Sequence, residues 1–174
     1  MIRLVGQRRV PILVKDDGNS MLEGMDMVAH MESLGAPVLT GPERPGISAW
    51  VDGFANKTPP LTWPRYPLLG LPEFATVAAR DHFIVRKRKR LGDLVELRAK
   101  TYELIDVLMP DLEKLGHLIE SPTAVNGALS LDDIRVLPLL RSAGVVKGLR
   151  FPEKVRSYFE TMMNHIGYQP LPAI

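Results

Sequence analysis

Residues 5–18, VGQRRVPILVKDDG, decide how this chain is read. From Arg8 to Val14 the run RRVPILV is apolar and β-branched enough for a buried strand, and Asp16-Asp17-Gly18-Asn19 supplies turn chemistry after it. Ser20 to Leu22 is then the return strand of a hairpin. Pro11 cannot donate to a ladder, which confines it to a strand edge, a strand start or a special turn. After Leu22 the period changes: Met27, Val28, Met31 and Leu34 fall at helical spacing, and Gly35 followed by Pro37 stops the helix. The first 35 residues therefore read as strand, strand, helix, with an internal-looking strand that has no earlier partner to pair with.

Residues 35–72 hold eight of the 15 prolines (Pro37, Pro42, Pro45, Pro59, Pro60, Pro64, Pro67 and Pro72), with a short helical piece around Ile47 to Asn56. That composition has the character of a connector. Beyond it the pattern is helical, and helices are expected over about 73–90, 93–120, 130–143 and 152–165. Ser130 precedes Leu131-Asp132-Asp133, an acidic variant of the capping box in which Asp133 reaches back to the Ser130 amide. Pro152 suits the first turn of the last helix. Pro110 and Pro138 each remove one bond inside a helix and are expected to kink it.

Composition narrows the chemistry. A chain of 174 residues, 45% hydrophobic and 24% charged, belongs to the ordinary globular class. No apolar run is long enough for a membrane span and no signal peptide is evident, so a cytoplasmic location and no membrane partner are expected. The absence of cysteine removes disulfides, thiolate nucleophiles and Cys-ligated metal, and redox activity carried by these residues alone would need a bound cofactor. His30, His82, His117 and His165 are too widely spaced for a local metal motif, and no metal site is expected. Asp16-Asp17 reads as turn chemistry and Asp132-Asp133 as cap chemistry, ahead of any acid–base role. Arg86-Lys87-Arg88-Lys89-Arg90 could contact phosphates, but cations suit a helix C-terminus and no aromatic residues are interleaved, so a solvated helix end is the favoured reading over nucleic acid. Trp50, Trp63 and Tyr66 read as packing of the connector onto the helices ahead of a stacking pocket.

Three separated passages together carry a family likeness: VGQRRVPILVKDDGNSMLEGMDMVAHM, TAVNGALSLDDIRVLPLLRSAGVVKGL and FPEKV. In order and spacing, from about Arg3 to about Val155, they resemble the glutaredoxin 2 family, bacterial glutaredoxins built like a glutathione transferase. The resemblance implies a mainly α fold: a partial, N-terminally truncated thioredoxin-like β-β-α unit followed by an all-α, glutathione-transferase C-terminal-like helical bundle. The implied domains are 1–35, a remnant of the glutaredoxin domain; 36–72, a Pro-rich linker with a short helix; and 73–174, the all-helical domain. The family's Cys-x-x-Cys belongs to a segment preceding the residues that match Arg3.

By the same resemblance, Val10 and Pro11 match the Val and cis-Pro pair whose backbone holds the cysteinyl part of glutathione. Glu23 matches the acidic residue near its γ-glutamyl group, and Gly24 stands where the family usually has serine. The implied activity is glutathione-dependent disulfide oxidoreduction, with glutathione as ligand or cosubstrate and no covalently bound cofactor. No catalytic residue can be assigned in these positions, so the chain is expected to be inactive by itself. Protein disulfide substrates enter only if the missing segment exists. The alternative is a non-catalytic helical interaction module with weak or no glutathione binding. The open sheet edge is expected to be blunted by homodimerisation, by residues 2–6, or by disorder of the first 20 residues.

Overall fold

Apolar residues at helical spacing build residues 41–174 around one core. In the computed structural model, which describes residues 2–7 and 9–174, two units are distinguished, Met1–Thr40 and Gly41–Ile174. The elements in chain order are α1 (Ile2–Val5), β1 (Leu13–Val14), β2 (Ser20–Met21), α2 (Gly24–Ser33), α3 (Pro45–Lys57), α4 (Pro59–Thr62), α5 (Val77–Leu91), α6 (Leu94–Ala99), α7 (Thr101–Leu118), α8 (Leu131–Ala143) and α9 (Glu153–His165). Short 3-10 turns at Tyr66–Leu68 and Pro72–Phe74 lie between α4 and α5.

The first unit is a hairpin and a helix. β1 and β2 pair antiparallel, Leu13 opposite Met21 and Val14 opposite Ser20, and Gly18, at φ 81°, closes the turn where a side chain would be strained. Asp17 accepts from the Asn19 amide at 2.9 Å, which fixes that turn. The strand expected over 8–14 is shorter in the structure, only Leu13–Val14, and its first residue, Arg8, lies outside the described residues. Pro11 has no N–H to offer a ladder, so pairing begins after it. Residues 2–5 form a helical turn, and among the described residues no third strand joins β1.

In the second unit, α3 buries Ile47, Trp50 and Phe54, α7 buries Ile105, Leu108, Leu112 and Leu115, and α9 buries Val155, Tyr158, Phe159, Met162 and Met163. Each set recurs at three- and four-residue intervals and so covers one helix face. α3 packs on α7 and α8, and α9 packs on the same two helices. Burying a Leu or Phe side chain of this kind contributes about 1.5–3 kcal/mol. From Ile47 to Leu69 the passage that reads as a connector thus contributes to this core. Two of its prolines fall at helix starts, Pro45 in the first turn of α3 and Pro59 in that of α4, where a missing N–H costs nothing. The single helix expected over 93–120 is divided between α6 and α7 at Lys100. Pro110 and Pro138 do lie inside helices, and Pro152 is the N-cap of α9, one place before its first turn.

Polar groups lock the entry to α8. Asp133 is 3% exposed, and its carboxylate accepts four hydrogen bonds: from the Val125 amide (2.7 Å), the Tyr158 hydroxyl (2.9 Å), the Ser130 amide (2.9 Å) and the Ser130 hydroxyl (3.1 Å). The neighbouring Asp132 accepts from the Arg44 amide at 2.8 Å and from Asn126 Nδ2 at 2.7 Å, tying the start of α3 to the start of α8. Arg44 in turn donates to Asn126 Oδ1 (2.6 Å), Glu120 (2.7 Å) and the Val125 carbonyl (3.0 Å). Gly41 passes so close to this turn that its amide donates to the Leu129 carbonyl at 2.7 Å, and an added Cβ would stand 2.2 Å from the Ala128 carbonyl oxygen.

Burial, reinforced by the adjacent Asp133 carboxylate, raises the Tyr158 phenol far above its ordinary range. An unfolded chain releases that proton near pH ~10, whereas the folded one keeps it. The folded state then binds more protons than the unfolded, so stability is complete below pH ~10 and falls as pH rises beyond it. Three outcomes follow for urea denaturation. Asp133→Ala strands four buried donors and costs about 3–5 kcal/mol. Gly41→Ala, which meets backbone and not a movable side chain, costs about 1–3 kcal/mol. Tyr158→Phe loses about 1.5–3 kcal/mol at neutral pH and flattens the alkaline loss of stability by up to ~1.4 kcal/mol per pH unit above ~10; an unchanged alkaline slope would contradict the role given to this phenol.

Candidate functional site

The four residues singled out in the first 40 positions fall on two adjoining pieces of backbone. Val10 and Pro11 lie just before β1, with Val10 in a bend, and the peptide bond between them is cis. Glu23 and Gly24 are the N-cap and first residue of α2. Extended backbone at Glu23 (φ −95°, ψ 123°) turns into helix at Gly24, so the first amides of α2 point out of the helix end without intrahelical acceptors. Glu23 makes no side-chain cap bond to its own helix. Its carboxylate instead pairs with the Arg9 guanidinium, and both side chains are substantially exposed.

That ion pair brings the segment carrying Val10 and Pro11 to the start of α2. Arg9 escaped the sequence reading. The available signal was slight, a cation directly before Val-Pro and an acid at a helix start 14 residues later. At Gly24 an added Cβ meets nothing within 4 Å, so a serine side chain fits there without displacement. Val10 is 67% exposed. A separate groove of about 410 Å³ in the same unit is lined by Leu13, Val14, His30, Met31, Leu34 and the Lys15–Asp17 turn, and none of the four residues contributes to it.

The remaining candidates resolve into local roles. Lys87 from the five-cation run sits over the Trp63 ring, 3.4 Å from its centroid, and Arg90 lies 5.2 Å from the same ring. Partial burial there, with Arg86 and Arg90 nearby, lowers the Lys87 ammonium below its usual value. Arg88 pairs with Asp93 at 2.7 Å, and Asp93 caps α6 through the Val95 and Glu96 amides, which hold its carboxyl below the ordinary range. Trp50 is core, stacked on Phe54 at 4.5 Å, with its indole N–H donating to the Asp111 carbonyl at 2.7 Å. Asp16 and Asp17 belong to the hairpin turn. Among the described residues no group of three or more His, Asp or Glu side chains is placed to hold a metal ion, and no helix is long and apolar enough to cross a membrane.

Comparison with known proteins bears on the family and the fold. The sequence pattern of the family described as Glutaredoxin 2, C terminal domain, matches residues 46–169. Glutaredoxin 2 of Escherichia coli K12 is 43% identical over 164 residues, covering 92% of this chain and 75% of the relative, and its counterpart from the O157:H7 strain matches equally. Among solved structures, glutaredoxin 2 of Salmonella typhimurium in complex with glutathione superposes with a TM-score of 0.92 at 38% identity, covering 98% of this chain and 78% of that one. The small β-β-α unit and the helical bundle thus correspond to the thioredoxin-like and glutathione-transferase-like parts of that fold. This chain belongs to the glutaredoxin 2 family.

Proposed function

We propose that this chain binds glutathione at the junction of the Val10–Pro11 segment and the start of α2, and that its 174 residues carry no thiol–disulfide turnover of their own. The observation that carries the reading is the Arg9–Glu23 pair, which holds Val10, Pro11, Glu23 and Gly24 on adjoining backbone. The homologous Salmonella protein was solved with glutathione, and the ligand chemistry fits these groups. The Val10 main chain offers a donor and an acceptor to the cysteinyl peptide. The free amides opening α2 suit the γ-glutamyl carboxylate, favoured there by the helix dipole. Glu23 suits the α-ammonium, for which it must exchange its pairing with Arg9.

Family chemistry is glutathione-dependent disulfide exchange, in which a thiolate attacks a disulfide sulfur through a mixed disulfide. The sequence contains no cysteine to supply that thiolate. What these residues provide is recognition of the tripeptide, without the nucleophile. Relative to the family's usual serine, Gly24 withholds a hydroxyl from the ligand carboxylate, a bond worth about 1.5–3 kcal/mol.

A second reading is a non-catalytic interaction module in which the helical unit docks a partner and glutathione binding is weak or absent. It draws on the exposure of Val95 (78%) and Tyr102 (74%) on α6 and α7. Calorimetric titration separates the two. The glutathione reading expects saturable heat with millimolar ligand, tightened about ten- to a hundredfold by Gly24→Ser, and no reduction of a small mixed disulfide in either protein. Absence of heat in both proteins would leave the interaction-module reading standing; turnover in the wild type would overturn the claim that exchange chemistry is lacking.

A further inference from the structure

The helical unit contains a second cavity, of about 310 Å³, between α5, α8 and the turns joining α4 to α5. None of Val10, Pro11, Glu23 or Gly24 lines it. One wall is aromatic: Phe74 meets Phe83 edge-on at 5.0 Å, and Tyr66 lies 6.4 Å from Phe83 at a tilt of 57°. The facing wall comes from α8, where Pro138, Arg141 and Ser142 are spaced to share one helix face. Its size is at the small end of the range for small-molecule sites, and the mix of aromatic walls with few polar groups is their usual composition.

Arg141 is the telling residue. Its guanidinium rests on the Tyr168 ring, 4.4 Å from the centroid, and Nη2 donates to the Tyr168 hydroxyl. Its Nε is buried with no hydrogen-bond acceptor, and no carboxylate pairs with it among the described residues. The guanidinium thus lines the cavity with its charge unmatched by any carboxylate among the described residues, which favours an anionic group beside it. Nearby, the Tyr66 and Ser142 hydroxyls share one hydrogen bond, so one of the two O–H groups remains free to donate to a ligand. Glu73, exposed at the cavity, disfavours a second negative charge on whatever enters.

We propose that this cavity binds a small aromatic monocarboxylate, with its ring between Tyr66, Phe74 and Phe83 and its carboxylate accepting from Arg141. The assignment is independent of glutathione recognition by the first unit. It is tested with 2-naphthoate and its neutral methyl ester, titrated into the full chain by calorimetry and followed by amide chemical shifts. The acid is expected to bind one-to-one and at least about tenfold more tightly than the ester, the scale of a charge-assisted contact. Shifts should concentrate at Tyr66, Phe83, Ser142 and Leu171. Arg141→Met should abolish the preference for the acid, while Phe83→Ala should weaken acid and ester alike. Equal affinity for acid and ester in the wild type, no saturation at millimolar acid, or shifts confined to other regions would each overturn the proposal. The wild-type acid–ester comparison holds even if a variant fails to fold.

Discussion

The Asp133 carboxylate is the point on which the helical unit turns. Four donors converge on it from a turn, a helix N-cap and a second helix, and it is almost wholly removed from water. A buried charge is costly unless fully satisfied, and a partly satisfied one is worse than none. Here satisfaction requires that residues 125–130 fold over the start of α8 and that Tyr158 of α9 reach the same carboxylate. Asp132 extends the requirement to α3 through the Arg44 amide. The apolar faces of α3, α7, α8 and α9 could slide over one another at modest cost. The network leaves one arrangement in which all four donors reach the Asp133 carboxylate.

The first unit is built differently, and its proposed role fits that construction. Two two-residue strands, the α1 turn and α2 bury little, with Met27 the buried residue of α2. Recognition groups on such a unit are main-chain amides and exposed side chains, which a peptide ligand can reach. In the proposed role, binding is expected to respond to a single hydroxyl at position 24, because few other contacts compensate for it. Glu23 illustrates the economy: it opens α2, pairs with Arg9, and is the residue proposed to meet the ligand's ammonium.

Much of this was legible in residue order. The change after Leu22 from an apolar strand run and turn chemistry to helical spacing marked the hairpin-to-helix step, and Ser130 to Asp133 announced a helix start through a local pattern. What the local pattern could not disclose is that Asp133 also serves Val125 and, 25 residues on, Tyr158. Those bonds depend on packing. The prolines of residues 35–72 misdirected for a related reason. Proline forbids a helix interior but suits a first turn, and only the burial of Ile47, Trp50 and Phe54 decides between connector and core. Lys100 breaks what looks like one helix, with Asp93 capping the earlier segment. In the site, the family likeness pointed to Val10, Pro11, Glu23 and Gly24, whereas Arg9 could be seen only once its guanidinium met Glu23. Arg141 gave no sequence signal, because an unpaired donor is a property of the folded cavity.

The central claim is that glutathione is read by the segment before β1 and the start of α2. The most direct measurement is a residue-resolved amide titration of the isotopically labelled chain with reduced glutathione. The account predicts saturable shifts at Val10 and at the amides of Glu23 through Asp26, with α7 and α9 unmoved. Saturable shifts confined to the helical unit, or none with millimolar ligand, would contradict it.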